Sequence, residues 1–227
     1  SKIKNLNFKI KTDNMKTKLT LLVVILSLGL MISCTKYPPD VTRLQEDLVV
    51  YTQVDLQKDF NQFKTFAIVD SIAYIDNKDS GHFLNADAQT VLDQIIMNMQ
   101  NRGFVKVGKN DTPNLGITVS MIKTTSTTVY YPGWWWGYPG YYYPGYWGYP
   151  SYNYYYPYYP TYITSYSAGT LIIDLADFIN LTEDEQIPIA WFAHIRALLT
   201  GGHTLDQVKL SIDQAFIQTP TLKTNAN

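Results

Sequence analysis

Apolar and polar positions follow two different periods along this chain, and the changes of period mark out its elements. Residues 48–54 and 64–72, the second reading KTFAIVDSI, are rich in β-branched and aromatic side chains bounded by polar turns, which predicts two strands. Between them Asp59, Phe60 and Phe63 predict a tight connection with two buried rings. Ala88, Val91, Leu92, Ile95, Ile96 and Met99 then recur at helical spacing, so residues 86–102 are predicted to form a helix with one buried face. Asn85 supplies an N-cap, Asp87 a negative charge in the first turn and Gly103 a stop. Residues 104–107 and 115–122 are further predicted strands, separated by a turn over 108–113. Two long strands are expected over 165–178 and 187–198, joined by an acidic turn at Thr182, Glu183, Asp184 and Glu185. Leu205, Val208, Ile212, Ala215 and Phe216 then line one face of a second helix over 204–218, with Pro220 just past its end.

Two amphipathic helices among mostly hairpin-connected strands predict an α+β fold, a largely antiparallel sheet with both helices packed on one face as a two-layer sandwich. The expected domain covers residues 48–220, followed by a polar tail over 221–227.

An apolar run over 19–32 breaks the globular pattern. At about 1.5 Å per residue it is too short to cross a bilayer. Lys16 and Lys18 precede it, and small Ser33 stands before Cys34, which is the layout of a secretory signal. The closing Met31-Ile32-Ser33-Cys34 is similar to the lipobox of bacterial lipoproteins, in which cleavage falls before the cysteine and its sulfur is acylated. Residues 15–33 are therefore expected to be a signal peptide cut between Ser33 and Cys34, residues 34–47 a tether, and residues 1–14 an upstream extension. Stable anchoring needs more than one acyl chain, which a diacylated or triacylated Cys34 supplies. Thr35-Lys36-Tyr37 has neither a surface-export run of acids nor an Asp after the cysteine, so the periplasmic face of the outer membrane is the expected location.

Composition changes abruptly inside the domain. Residues 130–162 hold fifteen Tyr, four Trp, six Pro and five Gly, and no charged residue occurs between Lys123 and Asp174. Prolines at this density deny ladder donors, so the insertion, taken as 126–164, is expected to be disordered or irregular. Its rings, with Trp134, Trp135, Trp136, Tyr141, Tyr142, Tyr143, Trp147, Tyr154 and Tyr155 as candidate contacts, suit three partners. They are the faces of sugars in glycan or peptidoglycan, lipid headgroups, and an envelope protein. A flexible extension without a specific ligand is the fourth possibility.

Charge and motifs narrow the chemistry. From Cys34 onward there are 12 basic and 18 acidic residues, a poor footprint for nucleic acid, so no nucleic-acid partner is expected. One cysteine excludes an intramolecular disulfide and a cysteine-cluster metal site. His82, His194 and His203 lie in unrelated segments, and Glu183-Asp184-Glu185 lacks the spacing and glycine of a calcium loop. Asp174 and Asp177, three apart on one predicted strand, are expected to point to opposite faces, with Asp174 at a turn or edge. No cofactor, metal site or catalytic motif is indicated, and a non-enzymatic role is expected.

Several segments taken in order carry a resemblance. The lipobox, Asp59-Phe60-x-x-Phe63-Lys64-Thr65-Phe66-Ala67, a helix ending in Arg102-Gly103-Phe104, the aromatic insertion, Gly169-Thr170-Leu171-Ile172-Ile173-Asp174-Leu175 and a last helix running to Pro220 resemble bacterial lipoproteins of the DUF4136 family. Members usually continue from the tryptophan after the acidic turn into Arg-Gly, whereas Trp191 is followed by Phe192-Ala193. The resemblance implies the domain and no activity. The expected function is a membrane-anchored, non-catalytic binding or structural module touching its partner through the insertion. The alternative is an envelope enzyme or binding protein acting on glycan or peptidoglycan.

Overall fold

The computed structural model of the chain describes residues 48–76, 80–123, 133–158, 169–196 and 202–225. Ser33, Cys34, the tether and both ends of the insertion lie outside the described residues. The strands are β1 (Val49–Val54), β2 (Thr65–Ile68), β3 (Ile72–Ile75), β4 (Gly81–Phe83), β5 (Val105–Lys106), β6 (Leu115–Ile122), β7 (Asn153–Tyr155), β8 (Thr170–Asp177) and β9 (Gln186–Arg196). The helices are α1 (Ala86–Asn101) and α2 (Leu205–Ile217).

The sheet runs β1-β9-β8-β6-β2-β5, and along β1, β9, β8 and β6 each strand is antiparallel to the next. On the far edge of β6, β2 and β3 follow one another, both parallel to it, and β4 makes a hairpin with β3. The fold is thus the expected α+β class. The single strand expected over 64–72 is two strands. Ile68 pairs with Ile117 and Ala73 with Ser120, so five steps along this edge span three along β6. The surplus loops out at Asp70 and Ser71 and gives β3 a new start, a local break of the bulge kind. Strands β4 and β7, each three residues long, are too short to show a period in the sequence.

Every residue of β8 is buried, as its unbroken apolar run requires of a strand covered on both faces. On one side Trp191, paired with Leu175, packs on Phe216 of α2 with ring centroids 5.0 Å apart and donates its indole N–H to Thr219 Oγ1 at 2.9 Å. Asn85 caps the first helix as expected, its Oδ1 accepting from the Ala88 amide at 2.8 Å, and Thr204 forms a capping box with Gln207 at the second. The two helices are tied at mid-length by Asp213, which accepts from Gln94 at 2.5 Å and Asn98 at 2.7 Å.

Gly103 ends α1 in the left-handed region at φ +91°, and a Cβ there would collide with the Thr224 carbonyl. That contact corrects the picture of a free polar tail. The Thr224 amide donates to the Arg102 carbonyl at 2.9 Å, and Leu222 is fully buried.

The opposite face of the sheet is covered by the insertion itself. Residues 133–158 form short 3-10 turns (Trp134–Gly137 and Pro144–Trp147) and β7, which runs parallel to β9. Irregularity was expected; burial against the sheet makes the segment a third layer over the two-layer core.

Candidate functional site

One carboxylate fastens that layer. Asp174 stands on β8, flanked by β6 and β9, and is 1% exposed, so the turn or edge role expected for it is corrected. Its Oδ2 accepts from Trp135 Nε1 at 3.1 Å, Trp136 Nε1 at 3.4 Å and the Tyr141 hydroxyl at 2.9 Å. Oδ1 accepts from the Tyr156 hydroxyl at 3.1 Å. Thr118, opposite Asp174 on β6, stands 3.0 Å from the same Tyr141 hydroxyl. Burial pushes the Asp174 carboxyl above the ordinary aspartate value, and the four donors oppose that shift. Burial, with the Asp174 charge behind it, likewise pushes the Tyr141 hydroxyl well up.

Asp177 has separate partners: Lys58 at 2.7 Å, the Ile179 and Asn180 amides at 2.9 and 3.0 Å, and the Asn180 side chain at 2.7 Å. The two aspartates therefore do not form a catalytic pair, and neither lines a cleft described below.

The nine ring residues expected as contacts are divided by this packing. Trp135, Tyr141, Tyr142, Trp147 and Tyr154 are buried in the chain's own core, which corrects their expected use as an open contact surface. Trp147 lies against Phe178 at 5.5 Å, and the Tyr154 hydroxyl donates to the Tyr142 carbonyl at 3.2 Å. Trp136 is half-buried and stacks on Tyr156 at 4.9 Å, and Tyr155 is half-buried in β7. The Trp134 side chain lies outside the described residues. Tyr143 is exposed.

Three of these residues do converge on a cleft. A depression of about 360 Å³ is lined by Tyr141, Tyr142, Tyr143 and Tyr146 from the insertion and by Asp70, Ser71 and His82 from the sheet edge. The surplus between β2 and β3 brings Asp70 and Ser71 here, and the β3–β4 hairpin sets His82 beside Ala73. Tyr142 is the fixed wall: its hydroxyl donates to the Ser71 carbonyl at 2.8 Å and lies 2.6 Å from the Ser71 hydroxyl. His82 packs on its ring at 4.6 Å and Tyr146 at 4.8 Å. Burial, then the Asp70 charge, pushes Tyr142 up to about 12, so its hydroxyl stays protonated.

The insertion is seated here by Gly140, whose φ of +89° and close approach to the Gly81 backbone, 2.9 Å from a notional Cβ to the amide nitrogen, exclude a side chain. Ser71 donates to Asp70 at 3.1 Å. Flat rings beside a carboxylate, a hydroxyl and an imidazole can stack on and hydrogen-bond a small polyhydroxylated ligand. Asp70, Ser71 and Tyr146 were not singled out in the sequence, and His82 was weighed there only as a metal ligand, because only the strand break and the hairpin bring them to the rings. Among the described residues no cluster of His, Cys, Asp and Glu could hold a metal ion, and no helix is long and apolar enough to cross a membrane.

The family model for DUF4136, a domain of unknown function, matches residues 50–218. The crystal structure of a DUF4136 family protein from Bacteroides thetaiotaomicron is similar over 78% of this chain and 97% of its own, with 32% identity and a TM-score of 0.67. A PelC dodecamer from Paraburkholderia phytofirmans matches at 9% identity and a TM-score of 0.38, over 79% of this chain and 99% of its own. A PDZ domain protein from Parabacteroides distasonis matches at 16% and 0.39, over 75% of this chain and 35% of its own. No match was found among curated proteins.

Proposed function

This chain belongs to the DUF4136 family, and from that footing we propose an acylated envelope lipoprotein whose domain is a non-catalytic glycan-binding module. Cys34 holds it at the periplasmic face of the outer membrane, and peptidoglycan is the glycan within reach. The observation that carries this reading is the cleft where Tyr142, Tyr143 and Tyr146 meet Asp70, Ser71 and His82. Its volume, about 360 Å³, suits a few sugar units better than a protein surface. Five of the nine rings expected to make a contact surface are buried inside the core. Support for anchoring comes from the apolar run, Ser33 and the lone Cys34.

Retention of the full chain on purified sacculi tests the binding. Tyr143→Ala and His82→Ala should each lower retention by about three- to tenfold, the scale of one lost ring or polar contact. Equal retention of wild type and both variants contradicts the reading. Mass spectrometry of the mature N-terminus tests the anchor, and a free thiol at Cys34 rejects it. Deleting the insertion is uninformative, since it strips one whole face of the sheet.

A further inference from the structure

The helix side of the sheet holds a second cleft, of about 490 Å³, where the N-terminal turns of α1 and α2 meet the ends of β3, β4, β6 and β8. Phe83, Met121, Leu205 and Val208 give it accessible apolar surface, over buried Ile72, Val91 and Leu171. The Asp213 tie between the helices lies further along, beside Gln94 and Asn98. An interior at ordinary packing density would close such a space. Lys123 stands at the rim with its Nζ 4.1 Å over the Tyr74 ring. Among the described residues no carboxylate forms an ion pair with Lys123. Asp87 shares the rim without pairing to it, and the Asn85 side chain is occupied in capping α1.

An apolar trough whose rim lysine has no carboxylate partner among the described residues complements an apolar chain ending in a single negative charge. We propose that this cleft takes a single-chain fatty acid, with its acyl chain along the partly exposed Phe83, Met121, Leu205 and Val208 and its carboxylate toward Lys123. The volume falls in the range of small-ligand pockets, and one cation matches one carboxylate. The site lies across the sheet from the tyrosine cleft and does not depend on the glycan reading.

Photo-crosslinking of the full chain in membranes tests it, using a diazirine-bearing fatty acid, the matching fatty alcohol and a diazirine-bearing phosphatidylcholine. The acid should mark peptides covering 86–101 and 205–217, and its yield should fall about fourfold for each methylene removed. Lys123→Gln should lower labelling by the acid about fivefold relative to the alcohol, the scale of one surface ion pair. Val91→Trp fills the trough and should abolish labelling by both; Val208→Phe serves the same end, with near-ultraviolet circular dichroism confirming that each variant folds. Absence of label at these helices, label undiminished in both folded filling variants, equal loss of acid and alcohol in Lys123→Gln, or equally efficient labelling by phosphatidylcholine would each overturn the proposal.

Discussion

The Tyr141 hydroxyl donates to Asp174 Oδ2 at 2.9 Å, joining the aromatic layer to the middle of the sheet. Trp135, Trp136 and Tyr156 converge on the same carboxylate, so one side chain satisfies four buried or half-buried donors. Asp174→Leu removes the acceptor that all four share, leaving the Tyr141 hydroxyl with Thr118, and should cost about 3–5 kcal/mol, whereas Asp174→Asn keeps one acceptor oxygen and should cost about 1–3 kcal/mol. Urea unfolding followed by near-ultraviolet circular dichroism measures both. Because burial raises the folded-state value, the folded chain binds this proton more tightly than the unfolded chain. The Asp174 contribution is therefore full below the ordinary aspartate value and declines as pH rises through the raised one. The cost of Asp174→Asn should shrink over that rise.

His194 sets a pH dependence of opposite sign. Burial, followed by the Arg196 charge, holds it at about 3 against an ordinary 6.5. The unfolded chain takes up a proton below 6.5 that the folded chain refuses until about 3, so stability is full above that window and is lost as pH falls through it. The slope from this group is at most about 1.4 kcal/mol per pH unit. His194→Phe keeps an aromatic ring against Trp135 and Phe192, 5.2 and 4.7 Å away, and should flatten the acid limb of a pH series of urea midpoints.

Lys58 is the cationic partner of a fully buried Asp177. Lys58→Met should cost about 3 kcal/mol, the low end for breaking a buried pair, because three N–H donors stay on the carboxylate. Thermal unfolding checks this, and Lys58→Arg should recover part of the loss.

Gly140 couples the layer to the tyrosine cleft. Gly140→Ala adds a Cβ to a left-handed residue that abuts the Gly81 backbone, and should cost about 1–3 kcal/mol. The same substitution should weaken retention on sacculi, because it pushes Tyr142 away from Ser71. Gly137→Ala, with open space around its notional Cβ, should do neither.

Much of the fold was legible because its signals are local. Helical spacing, with the cap at Asn85 and Pro220 past the last turn, placed both helices within a residue of their ends. The alternation around Asp59, Phe60 and Phe63 found a turn whose two rings lie 5.8 Å apart. The strand break at Asp70 escaped, because KTFAIVDSI reads as one run and its interruption depends on register against β6. The insertion's composition revealed that it is irregular and ring-rich. Its docking on the sheet was not legible, since the only polar clue, Asp174 inside an apolar run, gains its meaning from donors 18 to 39 residues away in the chain.

Hydrogen–deuterium exchange of the full chain, with and without soluble peptidoglycan fragments, tests the central claim most directly. Binding in the tyrosine cleft predicts slowed exchange confined to peptides covering 69–73, 81–84 and 140–147. No slowing at saturating fragment, or slowing confined to other peptides, would contradict it.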